Sequence, residues 1–211
     1  MCTAGLAEAD QPPRHGWLVR VTESKAHHSQ RAAIMLQAYP MSVRHLYYGC
    51  ERVARRLVDG IRDLDAEALA LGPPNWPVWA IASHVAGTRI YWLSQVAGEP
   101  GSEATPFASS DDGWEDHLDR PRSASELVEA LESTWPIVAG ALDHWTEPML
   151  IEKFERRWGD VVQHHSRASI LTRLATHEGF HTGEVSAILG SHGLPAVDPW
   201  DRPNPDTDPV S

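Results

Sequence analysis

The chain has 211 residues, of which 42% are hydrophobic, and its formal net charge at pH 7 is −11. This length is enough for one compact domain with a buried core. The negative charge argues against nucleic acid or an anionic membrane as a partner, because both reward clustered lysine and arginine. No stretch approaches the roughly 18 apolar residues of a membrane helix, and the N-terminus lacks the order of a secretory signal. We therefore expect a cytoplasmic protein.

The two ends of the chain lack the pattern of a folded domain. Residues 1–40 show no sustained hydrophobic periodicity, and the last residues are rich in proline. We predict a poorly ordered extension over residues 1–40, a helical metal-binding domain over residues 41–197 and a proline-rich tail over residues 198–211. The two cysteines, Cys2 and Cys50, do not make a disulfide framework, which fits a reducing compartment.

Hydrophobic periodicity predicts the first two helices. Apolar residues recur every three or four positions over residues 42–64, with charged residues between them, which predicts an amphipathic first helix. The Gly-Pro-Pro sequence at 72–74 breaks the pattern, and a second helix is predicted over residues 76–97. The polar stretch 99–122 is rich in serine, aspartate, glycine and proline, which predicts a long connection and no core element.

A capping signal marks the start of the third helix. Ser123 and Glu126 have the spacing of a capping box, in which each side chain accepts a hydrogen bond from the other residue's backbone N–H. The apolar pattern continues to Trp145 with alternating steps of three and four. Pro136 lies inside this helix, and we expect it to kink the helix or to break its hydrogen bonds locally.

The last third of the chain predicts a turn followed by a fourth helix. Residues 151–165 form two short mixed segments around Gly159 and Asp160, which is typical of a small β-hairpin or an irregular loop. Ser166 has the position of an N-cap, and an apolar stripe predicts a helix over residues 167–189. Four amphipathic helices of about 20 residues predict an all-α four-helix bundle, with a long crossover between helices two and three.

Three histidines fall on the apolar stripes of these helices. His177 and His181 share one face of the fourth helix, with their Cβ atoms about 5–6 Å apart. His84 lies on the inward stripe of the second helix. A single histidine on an apolar face is usually an ordinary core residue, but several buried imidazoles need partners, and a shared metal provides one. We predict a divalent metal ion held by these three residues, with one coordination position open.

The fourth helix also contains the H-E-x-x-H pattern of zinc proteases, formed by His177, Glu178 and His181. The extended protease pattern is absent, because residue 184 is glutamate and residue 187 is alanine. We therefore do not expect a protease. Glu178 and Glu184 are the candidate catalytic residues: each could orient a ligand histidine or act as a base, and Glu184 could also be a weak extra ligand or a surface charge.

Two blocks of the sequence resemble a known family. Residues 75–93, NWPVWAIASHVAGTRIYWL, and residues 166–200, SRASILTRLATHEGFHTGEVSAILGSHGLPAVDPW, resemble the second and fourth helices of the DinB-like (YfiT-like) superfamily of metal-dependent enzymes. The resemblance covers roughly residues 41–200. It implies a four-helix bundle with a crossover, which in this family is often a homodimer.

The resemblance also implies a site and a class of chemistry. The family's metal, Zn²⁺ or Ni²⁺, is held by residues that match His84, His177 and His181. Characterised members carry out low-molecular-weight thiol chemistry, namely S-transfer with bacillithiol or mycothiol and thiol-dependent maleylpyruvate isomerisation. The resemblance therefore implies a detoxification enzyme whose partners are a small-molecule thiol and an electrophilic substrate.

Physical chemistry is consistent with this transferase hypothesis. A three-histidine ion with an open position favours the thiolate form of a bound thiol, and the thiolate is the nucleophile. The sulfur comes from the cosubstrate, so Cys50 is expected to be a packing residue. Two alternatives stay open. One is a hydrolase that uses metal-activated water with Glu178 or Glu184 as base, and the other is a non-enzymatic metal-binding or small-ligand-binding protein.

Overall fold

The structure, a computed structural model, describes residues 43–108 and 113–198. The predicted extension over residues 1–40 and the predicted tail beyond residue 198 lie outside the described residues. Four long helices and one hairpin organise the described chain. They are α1 (Cys50–Ile61), α2 (Val78–Arg89), α3 (Ala124–His144), β1 (Lys153–Trp158), β2 (Val161–Ser166) and α4 (Arg167–Ser191).

Short helical segments join these elements. None of the helices in the described ranges combines the length and hydrophobicity that a bilayer-spanning helix requires. α2 continues directly into a π-helical segment, so its axis extends beyond Arg89. The segments are the α-helical turns Val43–Leu46, Ala66–Leu69 and Glu147–Leu150, the π-helical Ile90–Val96, and the 3₁₀ turns Ser102–Ala104 and Trp114–Asp116.

The described chain is mostly helical, but it is not all-α as the sequence predicted. β1 and β2 form a two-stranded antiparallel sheet in which Lys153 faces Ser166 and Trp158 faces Val161. The chain reverses at Gly159, whose φ of 56° is left-handed and costs glycine little because it has no Cβ. The hairpin alternative for this segment is therefore confirmed.

The first predicted helix is interrupted. The segment Val43–Leu46 ends before α1 begins at Cys50, and Gly49 between them has a φ of 98°. A left-handed residue cannot continue a right-handed helix. The prediction of one continuous helix over residues 42–64 was wrong because hydrophobic periodicity records which side chains are buried, and both segments bury apolar residues in the same core.

The four long helices share one hydrophobic core. α2 contacts both α3 and α4, and α1 contacts the same two helices. α2 is buried over most of its circumference, which is typical of a central helix. Each long helix contributes side chains that are almost completely buried, and burying one such leucine or isoleucine contributes about 1.5–3 kcal/mol. Examples are Leu57, Ile81, Leu131 and Ile170.

Capping boxes begin both α3 and α4. The Ser123 side chain accepts a hydrogen bond from the Glu126 backbone, and the Glu126 carboxylate accepts one from the Ser123 backbone at 2.9 Å. The corresponding pair in α4 is Ser166 with Ser169. The predicted start of the third helix is therefore confirmed, and α3 runs through Pro136 as one element. Each cap contributes on the order of 1 kcal/mol.

The connection between α2 and α3 does more than join two helices. Its Phe107 and Trp114 are buried, with ring centres 4.9 Å apart, and the Arg122 guanidinium lies 4.1 Å from the Trp114 ring centre. The sequence predicted no core element here because a stretch rich in polar residues has no periodicity. These rings hold the segment that follows Gly113 against α2.

Candidate metal centre

Three histidine side chains converge between α2 and α4. His84 Nε2 lies 2.9 Å from His177 Nε2, which in turn lies 3.1 Å from His181 Nε2. One ligand nitrogen from each residue falls within 4.8 Å of the others. The structure thus brings together all three residues that the spacing in the sequence singled out, and the group could hold a metal ion.

The three nitrogens can all bind one shared cation, but they cannot all hydrogen-bond to one another. His177 Nε2 has a single lone pair or a single hydrogen, so it cannot satisfy both neighbouring imidazoles in the same way. Ligand nitrogens about 2.0–2.1 Å from a tetrahedral Zn²⁺ lie roughly 3.3 Å apart. The distances of 2.9 Å and 3.1 Å are close to this value, so small movements of the rings would fit the group to an ion.

Carboxylates fix the orientation of the two outer rings. His84 Nδ1 donates to Glu115 Oε1 at 2.7 Å, and His181 Nδ1 donates to Glu184 Oε2 at 2.5 Å. A carboxylate that accepts from Nδ1–H leaves the lone pair on Nε2, the nitrogen that faces the other histidines. This is the arrangement that metal-ligating histidines use, so the donor set fits a divalent transition metal.

Glu115 was missed by the sequence analysis. It lies in the polar connection, and no periodicity marks it; the neighbouring Trp114 was the only signal that this stretch packs against the core. A Cβ built at Gly113 would lie 2.4 Å from Glu115 Oε2, so the glycine leaves the space that the carboxylate occupies. Glu115 Oε2 is buried and has no hydrogen-bond partner among the described residues.

Burial keeps two of the rings neutral. It lowers the pKa of His177 to about 3, assisted by the nearby His181, His84 and Arg173. Burial also lowers the pKa of His181, against the opposing effect of its hydrogen bond to Glu184. Neutral imidazole is the form that binds a metal, so at neutral pH these rings need not lose a proton first.

An aromatic side chain covers part of the centre. The Trp76 ring centre lies 5.2 Å from that of His84 and 5.8 Å from that of His181. The His84 side chain is nevertheless 29% exposed, so the centre can be reached from solvent on that side. The group is therefore partly walled by an apolar ring and partly open.

Glu178 is placed differently from the other candidate catalytic residue, Glu184. Its carboxylate accepts a hydrogen bond from the guanidinium of Arg89, and both side chains are buried. Arg89 also donates to the Leu131 carbonyl at 2.8 Å and to Thr134 Oγ1 at 3.2 Å, so this ion pair joins α2, α3 and α4. Within the described residues, no hydrogen bond joins Glu178 to the three histidines.

Glu178 also lines a cavity of about 320 Å³, which none of the three histidines lines. Cys50 lies in the same cavity wall and is partly buried. Burial, followed by the charge of Glu178, raises the pKa of the Cys50 thiol. Cys50 is thus held as a thiol, away from the three histidines, which fits the packing role predicted for it.

We expect Gly113→Ala to weaken metal binding by roughly 10–100-fold, the usual loss when a ligand histidine loses its orienting partner. The new methyl group would occupy the position of the Glu115 carboxylate and force it away from His84. The backbone itself tolerates alanine, because φ at Gly113 is −66°. Competition with a chromogenic chelator measures the affinity.

Gly140→Ala is the matched control, because its added Cβ meets nothing within 4 Å. It should keep the metal affinity and stabilise α3 by roughly 0.5–1 kcal/mol. Equal metal affinity of the two variants would show that Glu115 does not support the centre.

Comparison with known proteins places the chain in a family. The model of the DinB family matches residues 35–201. No curated protein was found to match the chain, and no solved structure did so either. The matched range contains the four long helices, the hairpin, the three histidines and both of their carboxylate partners. Because the match covers well over half of the 211-residue chain, the chain belongs to the DinB family.

Proposed function

We propose that this protein binds one divalent transition-metal ion through Nε2 of His84, His177 and His181. The single observation that carries the proposal is the orientation of the outer rings, whose Nδ1 atoms are engaged by Glu115 and Glu184. Three imidazoles suit Zn²⁺ and Ni²⁺ alike. The packing of α1–α4 around one core supports the four-helix bundle arrangement, in which such sites lie between facing helices.

We further propose that the protein is a metal-dependent S-transferase that joins a low-molecular-weight thiol to an electrophilic substrate. When bound, the ion supplies a positive charge that favours the thiolate form of the thiol. Membership of the DinB family and the solvent-exposed side of His84 support this class of reaction. Cys50, the one cysteine in the described part of the chain, lies in a separate cavity, which supports a sulfur supplied by a cosubstrate.

The hydrogen bonds of the two candidate bases, Glu178 and Glu184, favour a transferase over a hydrolase. A general base must be free to take a proton from water. Glu184 is already engaged by His181 Nδ1, and Glu178 by Arg89. We therefore propose Glu184, together with Glu115, as a residue that orients a ligand histidine, and Glu178 as a partner of Arg89. The homodimer implied by the family resemblance stays a prediction.

Cobalt substitution tests the transferase proposal. We expect the Co²⁺-loaded protein to develop a sulfur-to-cobalt charge-transfer band in the near ultraviolet with at least one of bacillithiol, mycothiol and glutathione. Cys50→Ser should leave the band intact, because the sulfur belongs to the added thiol. If none of the three thiols changes the cobalt spectrum, the transferase proposal fails and hydrolysis becomes the leading hypothesis.

A further inference from the structure

Basic side chains surround the buried indole ring of Trp92, which lies in the π-helical segment that follows α2. The Cζ atom of Arg173 on α4 lies 4.7 Å from the Trp92 ring centre, and that of Arg156 on β1 lies 5.3 Å from it. The ring centre of His165 on β2 lies 4.7 Å away. We call Arg156, His165 and Arg173 the basic cluster.

Two members of the basic cluster, Arg173 and His165, have no carboxylate partner among the described residues. In the part of the chain that the structure describes, neither side chain forms an ion pair with aspartate or glutamate. Arg156 donates to Tyr91 Oη at 2.5 Å and to Gln163 Oε1 at 2.9 Å, which positions its guanidinium beside the indole.

The two arginines supply the positive charge of the cluster. Burial lowers the pKa of His165, and the charges of Arg173, Arg156 and His164 lower it further, which favours the neutral form of this ring. The carboxylates of the same hairpin region are engaged by other arginines, Glu155 by Arg157 and Glu152 by Arg167.

The basic cluster lies close to the three histidines along α4. Arg173 precedes His177 by four residues, which is one helical turn, or about 6 Å along the axis and on the same face. Its charge is also among the influences on the pKa of His177. Arg173 is exposed, so its guanidinium can meet a molecule that enters from solvent.

We propose that the basic cluster is a subsite for the carboxylate of the small thiol, whose sulfur end reaches the three histidines. Guanidinium groups bind carboxylates in a planar, bidentate manner, and the indole ring holds Arg156 and Arg173 by cation–π contact. The cosubstrate is therefore an anionic thiol, with its acid and sulfur separated by a chain of several bonds. The inference rests on the proposed function for the sulfur end only.

The first test compares acids with their neutral amides. Co²⁺-loaded protein is titrated with 3-mercaptopropionate and 6-mercaptohexanoate and with the two corresponding amides, and the charge-transfer band gives the dissociation constants. We expect at least one acid to bind about tenfold more tightly than its amide, from the added charged hydrogen bonds. Arg173→Gln should abolish this preference and leave the affinity for the amide unchanged.

Arg157→Gln is the matched control, because Arg157 is an exposed arginine beside Arg156 that pairs with Glu155. It should retain the preference for the acid. Equal affinities of acid and amide in the unchanged protein would overturn the subsite while leaving the transferase proposal standing.

A second measurement does not depend on the metal or on sulfur. In metal-free protein, the ¹H–¹⁵N signal of the Trp92 indole should shift and saturate when butyrate is added, and it should not respond to butyramide. Arg173→Gln should remove the response. If no thiol perturbs cobalt but butyrate still shifts this signal, the transferase proposal fails and the anion subsite stands. An indole signal that responds to neither compound would overturn the subsite.

Discussion

Purified protein should carry close to one transition-metal ion per chain, and His181→Ala should lose it. The substitution removes one of three convergent nitrogens and also leaves Glu184 without its partner. The loss of affinity should exceed the roughly 10–100-fold expected for a residue that only orients a ligand. Inductively coupled plasma mass spectrometry after chelator-free purification measures the occupancy.

His164→Ala is a suitable control, because His164 is an exposed residue of β2 that takes no part in the group of three. It should retain full metal content. Full occupancy in a variant that has alanine at positions 84, 177 and 181 together would refute the assignment of the centre.

Glu178→Ala should destabilise the metal-free protein by about 3–5 kcal/mol, the usual cost of leaving a buried charge without its partner. The Arg89 guanidinium would keep its hydrogen bonds to α3 but would lose the only carboxylate that it contacts among the described residues. Urea denaturation followed by circular dichroism measures the free energy of unfolding.

The exposed ion pair between Arg62 and Glu132 provides the comparison. Its side chains are 46% and 55% exposed, so Glu132→Ala should cost far less than Glu178→Ala, because solvent screens an exposed ion pair. Similar costs for Glu178→Ala and Glu132→Ala would mean that the buried pair does not hold α2, α3 and α4 together. Glu178→Gln, if folded, should also keep its metal, since Glu178 does not contact the three histidines.

The histidine pair on α4 was predictable because its information is local. A spacing of four residues places His177 and His181 on one face of any helix, and an apolar stripe indicates that this face points inward. The same reasoning applied to His84 and to the serine caps of α3 and α4. In each case a pattern within about one or two helical turns was enough.

The parts that were not predicted depend on distant residues. Glu115 contacts His84 across 31 residues, and Arg89 contacts Glu178 across 89. No local pattern pairs such residues, so the sequence left Glu178 as a candidate base and omitted Glu115. The break at Gly49 was missed for another reason: glycine permits the left-handed conformation but does not require it.

The π-helical segment Ile90–Val96 continues α2 from the turn that carries His84 toward the hairpin. A π-helical turn holds about one residue more than an α-helical turn, and one residue corresponds to about 100° of rotation around the axis. The segment therefore sets which side chains meet the hairpin, Trp92 among them, while His84 lies on the α-helical side of the change. An insertion or deletion within the segment would turn Trp92 away from the basic cluster and leave His84 in place.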